Sequence, residues 1–348
     1  GEYGFPESHA YSFALLAYSS SWLKCHEPAC FLAALLNSLP MGFYTASQLV
    51  QDARRHGVRV LPIDVSHSNV GCTLEGPPEL LRPHKGLPAP SQPQPAVRLG
   101  LRLVASLSQE AAKRLVQVRS QGPAWASAED LALRTPLSQQ DMQALAAADA
   151  LASLSGHRRQ QMWDAAAQHS APALLRDVPV LEAPLALPAA PEGEEILFDY
   201  AATGLTLRRH PLALLRPRLA RWRLQTALQL VATPHGRQVR ACGIVTVRQR
   251  PGTAKGTMFV TLEDETGPVN VIVWPDMVDR WRNALLRSQL LAVEGLWQCS
   301  VPEGSSAHAT PSGQAPAVVR HLVAQRFKDL TPLLGRMAQA LQGSRDFH

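Results

Sequence analysis

Residues 247–275 read VRQRPGTAKGTMFVTLEDETGPVNVIVWP, and this stretch decides the fold of the second half of the chain. Met258, Val260 and Leu262 alternate with neighbours of a different kind, among which Phe259 is aromatic. Because successive side chains of a strand point to opposite faces, this period of two predicts one face in a core and one face outward. Phe259 falls on the outward face.

Short alternating strands recur on both sides of this stretch. We predict strands at 238–248, 256–263, 268–274, 289–298 and 317–325, with a helix at 275–286 after the third. Five strands with one helix after the third is the order of an OB-fold barrel. Trp274 and Trp297 are expected to fill that barrel. The three acids in LEDETG, residues 262–267, could suggest a metal site, but they are expected to form a polar hairpin end.

An exposed aromatic ring among cations is how OB-folds hold single strands, because bases stack on the ring while cations follow the phosphates. Phe259 has Arg248, Arg250 and Lys255 near it in sequence. We therefore predict that these four residues contact DNA. The alternative is that Phe259 packs against the arginine-rich segment before the barrel.

The chain is basic, and its charge is unevenly placed. It has 34 Lys+Arg against 28 Asp+Glu, a net charge of +6; five of the 34 are lysines, which leaves 29 arginines. From Leu205 to Arg250 there is no acid, and the arginines there are Arg208, Arg209, Arg216, Arg218, Arg221, Arg223, Arg237, Arg240, Arg248 and Arg250. Such a run favours a polyanion, so Arg240 is also predicted to contact DNA. A solvated basic face, a docking surface for an acidic protein, and a GC-rich genome as the source of the arginines stay open.

Residues 98–168 read as a helical block of two parts of similar design. Each part has a short polar turn between helices. Ser108, Ser127 and Ser138 stand where a side-chain oxygen could cap the helix that follows. Prolines, glycines and serines dominate 69–97, which predicts a loop or insertion before the block.

Ser8 and His9 stand at the start of an apolar segment. Neighbouring helix positions point about 100° apart, so the two are not predicted to be a nucleophile and its base. Ser8 instead predicts an N-cap, and a helix start beside His9 could bind a phosphate through free N–H groups. The alternative is a capped core helix with His9 merely exposed. The segment is apolar on two faces, which predicts a buried helix.

The first 36 residues resemble a known family. The matching residues are Tyr3, Gly4, Phe5, Ser8, His9, Ala10, Leu16, Ala17, Tyr18, Trp22, Leu23, Lys24, His26, Pro28, Phe31, Ala34, Leu35 and Leu36. This pattern is similar to the end of the fingers in bacterial C-family DNA polymerases, the family of the DNA polymerase III alpha subunit. GVRVLPIDVSHS, residues 57–68, continues the resemblance. Pro6 and Glu7 resemble the error-prone, translesion-type branch, since replicative members usually carry Asn-Lys there.

The resemblance implies roles for several residues. In that family the fingers approach the triphosphate of the incoming nucleotide, which places Ser8, His9 and Lys24 on the nucleotide side. The absence of a lysine at position 7 weakens the expectation of a charge-based phosphate contact there.

The same resemblance implies that residues 98–168 are a degenerate tandem helix-hairpin-helix region. The family's glycines correspond to Ser106 and Asp149, and serine lacks glycine's freedom at positive φ. The first hairpin is expected to contact DNA through Ser106, Ser108, Lys113, Arg114 and Arg119. Asp149 adds a negative charge, so the second hairpin is expected to be a packing unit, although Arg158 and Arg159 follow it.

For the whole protein, the resemblance implies a DNA-directed DNA polymerase, a nucleotidyltransferase of damage-induced translesion synthesis and mutagenesis. Such enzymes use two Mg²⁺ ions on palm carboxylates. The family places those carboxylates upstream of Gly1, so this chain is expected to hold no catalytic residue and no metal and not to polymerise alone. The implied partners are single-stranded template, primer–template duplex, mutasome proteins and, indirectly, the sliding clamp. A pure DNA-binding module and a protein platform that docks a mutasome partner through the OB-fold remain alternatives.

The expected architecture is α+β and multidomain. Its parts are the end of the polymerase fingers (1–68), the loop or insertion (69–97), the tandem hairpins (98–168), a linker with short helices and an Arg-rich segment (169–224), the OB-fold (225–328) and a tail (329–348). The five cysteines form no CxxC pair, which indicates a reducing bacterial cytoplasm and no zinc site. No apolar run reaches membrane-spanning length, and no signal peptide is present.

Overall fold

A computed structural model describes residues 7–42, 44–77, 93–167, 185–300, 318–341 and 345–347. The chain divides into two units, Gly1–Leu207 and Arg208–His348. Among the residues so described, no helix is long and apolar enough to cross a membrane.

Unit 1 is mainly helical. Its helices are α1 (Glu7–His26), α2 (Pro28–Asn37), α3 (Ala46–Arg55), α4 (Gln109–Gln121), α5 (Ala128–Arg134), α6 (Gln139–Ala147), α7 (Ala152–Ser155), α8 (Arg158–Ala167) and α9 (Glu192–Thr203). Its strands are β1 (Val60–Leu61), β2 (Thr73–Glu75) and β3 (Ala96–Arg98), and a 3₁₀ turn spans Leu101–Leu103. The strands form one small sheet in the order β1-β3-β2. Strands β2 and β3 therefore give both ends of the 69–97 segment, expected to be a loop, an ordered place in a sheet.

One hydrophobic core joins the parts of unit 1. Leu36 of α2, Val50 of α3, Val97 of β3, Leu115 of α4 and Leu145 of α6 all belong to the same buried cluster. Because apolar area buried together contributes about 25 cal/mol per Å², these elements stabilise one another. The finger end and the hairpin block, expected as separate domains, are thus one packed body in this unit.

Helix α1 differs from its expectation. Tyr11, Phe13, Leu16 and Tyr18 are each more than half exposed, on both of its apolar faces. The prediction of a buried helix is therefore wrong for the described residues. An apolar helix is buried only where another element covers it, and the composition of the helix itself does not decide that.

Unit 2 is built around strands. They are β4 (Gln238–Gln249), β5 (Met258–Glu263), β6 (Pro268–Val273), β7 (Leu290–Ser300), β8 (Val319–Asp329) and β9 (Arg345–Phe347). Its helices are α10 (Pro211–Arg221), α11 (Ala227–Val231), α12 (Pro275–Arg280), α13 (Arg282–Arg287) and α14 (Met337–Ala340), with 3₁₀ turns at Gly252–Ala254 and Thr331–Leu334.

Five of these strands close into a barrel. Their order is β5-β6-β8-β7-β4, and an additional β5–β4 pairing completes the ring. Val260, Val271, Val293 and Trp297 are among the side chains that fill the barrel. The predicted strand order of an OB-fold is confirmed, and the predicted helix after the third strand is present as α12 and α13.

Strands β7 and β8 come close enough to exclude a side chain at one point. A Cβ built on Gly295 would lie 2.0 Å from the carbonyl oxygen of Val323, where the β7–β8 register shifts. Glycine is therefore required at position 295 for this close approach of two backbones.

Candidate nucleic-acid interface

Phe259 lies on the outer face of the barrel, as predicted. Its ring is 38% exposed, while Met258 and Val260 on either side of it are buried. In the strand register Phe259 is paired with Gln249 of β4 and Ile272 of β6. Paired residues point to the same face, so these three side chains form one outward row.

Trp274 extends this row, and the prediction that it fills the barrel is wrong. Trp274 is 50% exposed, whereas Trp297 is 3% exposed and does fill the barrel. Trp274 follows the buried Val273 at the end of β6, so the period of two puts it on the same face as Ile272. It thus lies diagonally across from Phe259, about 7–8 Å away by ordinary sheet geometry, and the two aromatic rings form what we call the aromatic platform.

Arg250 and Lys255 lie in the loop that enters β5. Both are exposed, and within the described chain neither has an ion pair. The backbone turns sharply here, since Lys255 has φ +47° and Gly256 has φ +86°. A Cβ on Gly256 would lie 3.5 Å from Nη2 of Arg250 and 3.6 Å from Cγ of Pro275. The guanidinium of Arg250 is therefore held near the residue that follows Trp274, beside the aromatic platform.

Arg248 does not belong to this surface, and its prediction as a DNA contact is wrong. It is buried, and it donates to the carbonyl oxygens of Leu285 at 2.6 Å and Ser288 at 2.5 Å. Its pairing partner in β5 is the inward-facing Val260, so the register turns Arg248 toward the end of α13. There it satisfies carbonyl groups that a helix end leaves without partners.

Several members of the arginine run are neutralised by acids from elsewhere in the chain. Arg240 donates to Glu294 of β7 at 3.0 Å and remains half exposed. Arg216 binds both oxygens of Glu265, at 2.5 and 2.7 Å, and lies 3.5 Å from Asp264. Burial alone would lower the pKa of Arg216, but these carboxylates raise it. The run is thus not one continuous free cationic strip.

The acids of residues 262–267 have a structural role. Asp264 is buried at the turn between β5 and β6, where it accepts from the backbone N–H groups of Thr266 and Gly267. Its other oxygen accepts from the N–H of Ala227 at 2.7 Å, at the start of α11. These bonds hold a hairpin end, as predicted.

The turn of the first hairpin keeps the geometry of a glycine turn. Ser106 has φ +64°, the left-handed conformation that serine was expected to disfavour. The three predicted caps are all present, because Ser108, Ser127 and Ser138 each accept from the third backbone N–H of their helices. Serine at position 106 therefore does not abolish the turn.

Asp141 ties the first hairpin to α6. One of its oxygens accepts from the N–H of Ser108 at 3.2 Å, and the other accepts from the N–H and hydroxyl of Ser138. Burial would raise the pKa of Asp141, but these hydrogen bonds lower it below its ordinary value. The carboxylate brings a negative charge to the start of α4, close to where a phosphate would bind.

The predicted cations of the first hairpin separate into two groups. Lys113 and Arg114 are exposed on α4, and Arg114 also donates to the carbonyl oxygen of Pro136. Arg119 instead donates to the carbonyl oxygens of Val65 and Ser68 at 2.7 Å each. Desolvation by burial lowers the pKa of Arg119. The prediction that Arg119 contacts DNA is wrong, because its guanidinium holds a loop of its own unit.

The turn of the second hairpin is used inside the protein. Asp149 has φ +61°, so this family-glycine position is left-handed too. Its carboxylate accepts from Nε2 of Gln161 at 2.6 Å and lies 3.8 Å from Nη2 of Arg158. Arg158 is itself 1% exposed. These contacts are those expected of a packing unit.

The nucleotide-side residues of the finger end lie on α1. The helix already includes Glu7, so Ser8 is its second residue and the prediction that Ser8 caps it is wrong. His9 is exposed and meets the ring of Phe13 edge-on at 4.5 Å. Lys24 forms a 2.8 Å ion pair with Asp52 of α3, and this pair lowers the pKa of Asp52 against the effect of burial. A role toward the nucleotide stays a prediction for all three.

A metal centre is not present among the described residues. No group of three or more His, Cys, Asp or Glu side chains there could hold an ion. The described part of the chain therefore does not fit the two-metal site that a polymerase palm requires.

Trp274 is the platform residue that sequence reasoning missed. The available signal was its spacing, since Trp274 is two positions beyond Ile272 and directly follows the last inward residue of β6. A strict count of the period of two would have placed it outward.

Two family models match the chain. One described as a helix-hairpin-helix motif matches residues 57–161, and one described as an OB-fold nucleic acid binding domain matches residues 239–327. The α+β architecture with both elements is therefore established. The aromatic platform and Lys255 lie inside the second match.

Relatives match the chain from end to end. Proteins named error-prone DNA polymerase from Bordetella parapertussis, Ralstonia nicotianae and Methylococcus capsulatus are 54%, 52% and 50% identical, and each alignment covers 100% of this chain. It covers 31%, 30% and 32% of those relatives, so the chain spans about a third of their length. Among solved structures, an asparaginyl-tRNA synthetase from Pyrococcus horikoshii matches 31% of this chain and 22% of its own, at 19% identity and a TM-score of 0.23.

Proposed function

Because this chain matches, along its whole length, about a third of the error-prone DNA polymerases, we propose that it is the DNA-holding portion of such a polymerase. Its OB-fold binds the single-stranded template, and its first hairpin contacts the primer–template duplex. The aromatic platform of Phe259 and Trp274, flanked by the unpaired cations Arg250 and Lys255, is the observation that carries this proposal.

The platform suits an unpaired strand for a physical reason. Bases of a single strand expose their faces, and each base stacked on an aromatic side chain contributes about 1–3 kcal/mol. In a duplex those faces are already stacked on neighbouring pairs. The cations beside the rings attract the phosphates that connect the stacked bases, without reading sequence.

The first hairpin supports a duplex contact more weakly. Its left-handed turn at Ser106 and the exposed Lys113 and Arg114 favour phosphates, while Glu110 in the first turn of α4 and Asp141 oppose them. We therefore assign the hairpin a supporting contact with duplex phosphates and the platform the main contact with template.

The proposed activity of the whole protein is error-prone, Mg²⁺-dependent DNA synthesis across damaged template in the bacterial cytoplasm. Ser8, His9 and Lys24 would face the incoming nucleotide, and mutasome proteins and the sliding clamp would be further partners. The carboxylates that hold Mg²⁺ would come from outside this chain. Purified as these 348 residues, the chain is thus expected to give no metal-dependent primer extension, and incorporation of nucleotides in that assay would refute this division of roles.

A pair of arginines two positions apart tests the DNA-binding surface. We expect Arg250→Met combined with Lys255→Met to weaken binding of a labelled 20-nucleotide oligo-dT about tenfold, because two phosphate contacts are lost. The dependence of the logarithm of affinity on that of salt concentration should become shallower by about 1–2. Fluorescence anisotropy between 50 and 200 mM salt measures both quantities.

Arg248→Met is the matched control. It removes two buried hydrogen bonds to Leu285 and Ser288 and should cost about 1–3 kcal/mol of unfolding free energy in urea, with the oligo-dT affinity of the folded protein unchanged. The reverse result, in which Arg248 controls affinity and Arg250 controls stability, would contradict the assigned surface. If the wild-type chain bound no oligonucleotide at all, the alternative of a protein platform for a mutasome partner would replace the proposal.

A further inference from the structure

A second basic surface lies on unit 2 where α10 meets strands β7 and β8. We call it the β8 surface, and its charged and aromatic members are Arg218, Trp222, Arg223, Arg240, Glu294, Arg326 and Lys328. It contains five cations and one acid. Neither Phe259 nor Trp274 belongs to it, because they lie on β5 and at the end of β6.

Trp222 orders two of these cations. Its indole is 38% exposed. The guanidinium carbon of Arg218, one turn earlier, lies 5.5 Å from the ring centroid, and Nζ of Lys328 on β8 lies 5.3 Å from it. Cation–π attraction holds long side chains in place, so these two charges lose less freedom when an anion binds. The same contacts occupy the ring, which leaves it less suited to stacking a base.

The strand register adds a charge that has no partner. Arg240, Glu294 and Arg326 are paired across β4, β7 and β8, so their side chains stand in one row. Glu294 is bound by Arg240 at 3.0 Å, and in the described chain Arg326 has no ion pair. Lys328 is two positions further on β8, with the buried Phe327 between them facing inward. Arg326 and Lys328 therefore point outward together.

A cleft of about 560 Å³ opens beside this row. Arg223, with φ +57°, lines it together with Arg240 and Glu294. The amides of Gln225, Gln229 and Gln238 complete its polar lining. Arginine and glutamine side chains are common partners of phosphate and sugar oxygens in protein–DNA complexes.

We propose that the β8 surface is a second DNA contact, which binds the phosphodiester backbone by charge and without base stacking. The inference rests on the proposed function, since it assumes that the chain binds DNA. Contact with the backbone alone does not require exposed base faces, so this surface accepts duplex DNA as well as single strands. The aromatic platform, in contrast, requires an unpaired strand.

The test uses the full chain with two probes, a 20-base-pair duplex and oligo-dT of the same length. Arg326→Met combined with Lys328→Met is expected to weaken duplex binding about tenfold and to make its salt dependence shallower by about 2. Phe259→Ala combined with Trp274→Ala should leave duplex binding unchanged and reduce oligo-dT binding. All four side chains are partly or fully exposed, so an unchanged urea midpoint verifies folding in each variant.

Lys113→Met combined with Arg114→Met separates the β8 surface from the first hairpin. If duplex affinity falls in this hairpin variant but not in the Arg326/Lys328 variant, the inference is overturned while single-strand binding by the platform stands. If a poly-glutamate peptide binds the wild type, loses binding in the Arg326/Lys328 variant and duplex DNA does not, the surface docks an acidic protein and the inference is also overturned. If neither DNA probe binds the wild type, the proposed function itself fails.

Discussion

Phe259→Ala combined with Trp274→Ala is expected to lower the affinity of the chain for a single-stranded oligonucleotide by about two orders of magnitude. Each stacked base contributes about 1–3 kcal/mol, so two lost stacks amount to about 2–6 kcal/mol. Since 1.4 kcal/mol is about tenfold in affinity, this is the largest effect on binding that we expect from any pair of exposed residues in unit 2. Anisotropy titration with oligo-dT at fixed salt measures it.

The controls distinguish stacking from general loss of surface. Phe259→Tyr combined with Trp274→Phe keeps aromatic rings and should retain most of the affinity. Leu228→Ala removes an exposed apolar side chain elsewhere in unit 2 and should change nothing. An alanine pair that binds oligo-dT as tightly as the wild type would show that the platform does not hold the strand.

Arg158→Met is expected to destabilise unit 1 by about 3–5 kcal/mol. The 1%-exposed guanidinium lies 2.9 Å from Oε2 of Glu195, forms a hydrogen-bonded ion pair with Asp199 and lies over the ring of Phe198. Methionine fills similar space but leaves two buried carboxylates without a cation, which is the costly way to break a buried ion cluster. Urea unfolding and limited proteolysis of unit 1 measure the loss.

The neighbouring Arg159 provides the matched control. It forms an ion pair of the same length, 2.9 Å, with Glu194, but this pair is at the surface. Arg159→Met should therefore cost only about 0–1 kcal/mol. A variant that combines Arg158→Met with Glu195→Gln and Asp199→Asn removes the uncompensated charges and should recover part of the loss. Equal small effects of the two single variants would show that the buried cluster contributes little.

The ion cluster also explains why the second hairpin is a packing unit. Asp149, at the position of a family glycine, lies beside Arg158 and accepts from Gln161. Its left-handed turn is thus occupied by contacts within unit 1, whereas the corresponding turn at Ser106 is exposed. The two hairpins share a backbone geometry and differ in what their turns contact.

Local patterns in the sequence were sufficient for much of the architecture. The period of two predicted five barrel strands close to their observed bounds and placed Phe259 outward, and the serines at 108, 127 and 138 predicted three helix caps. Strand alternation and capping depend on residues that are at most a few positions apart, so they can be recognised without knowledge of the tertiary structure.

Which charges remain free was decided only by the tertiary structure. Arg248 meets carbonyl groups 37 and 40 residues away, Arg119 meets a loop more than 50 residues earlier, and Arg216 meets Glu265 across 49 residues. The exposure of α1 and of Trp274 likewise depends on which elements cover them. A charge pairs with whatever the fold brings within about 4 Å, and a helix face is buried only by a neighbour that packs on it. The sequence by itself therefore determined where the cations and aromatic rings stand along the barrel, and the folded chain selected the few that can meet DNA.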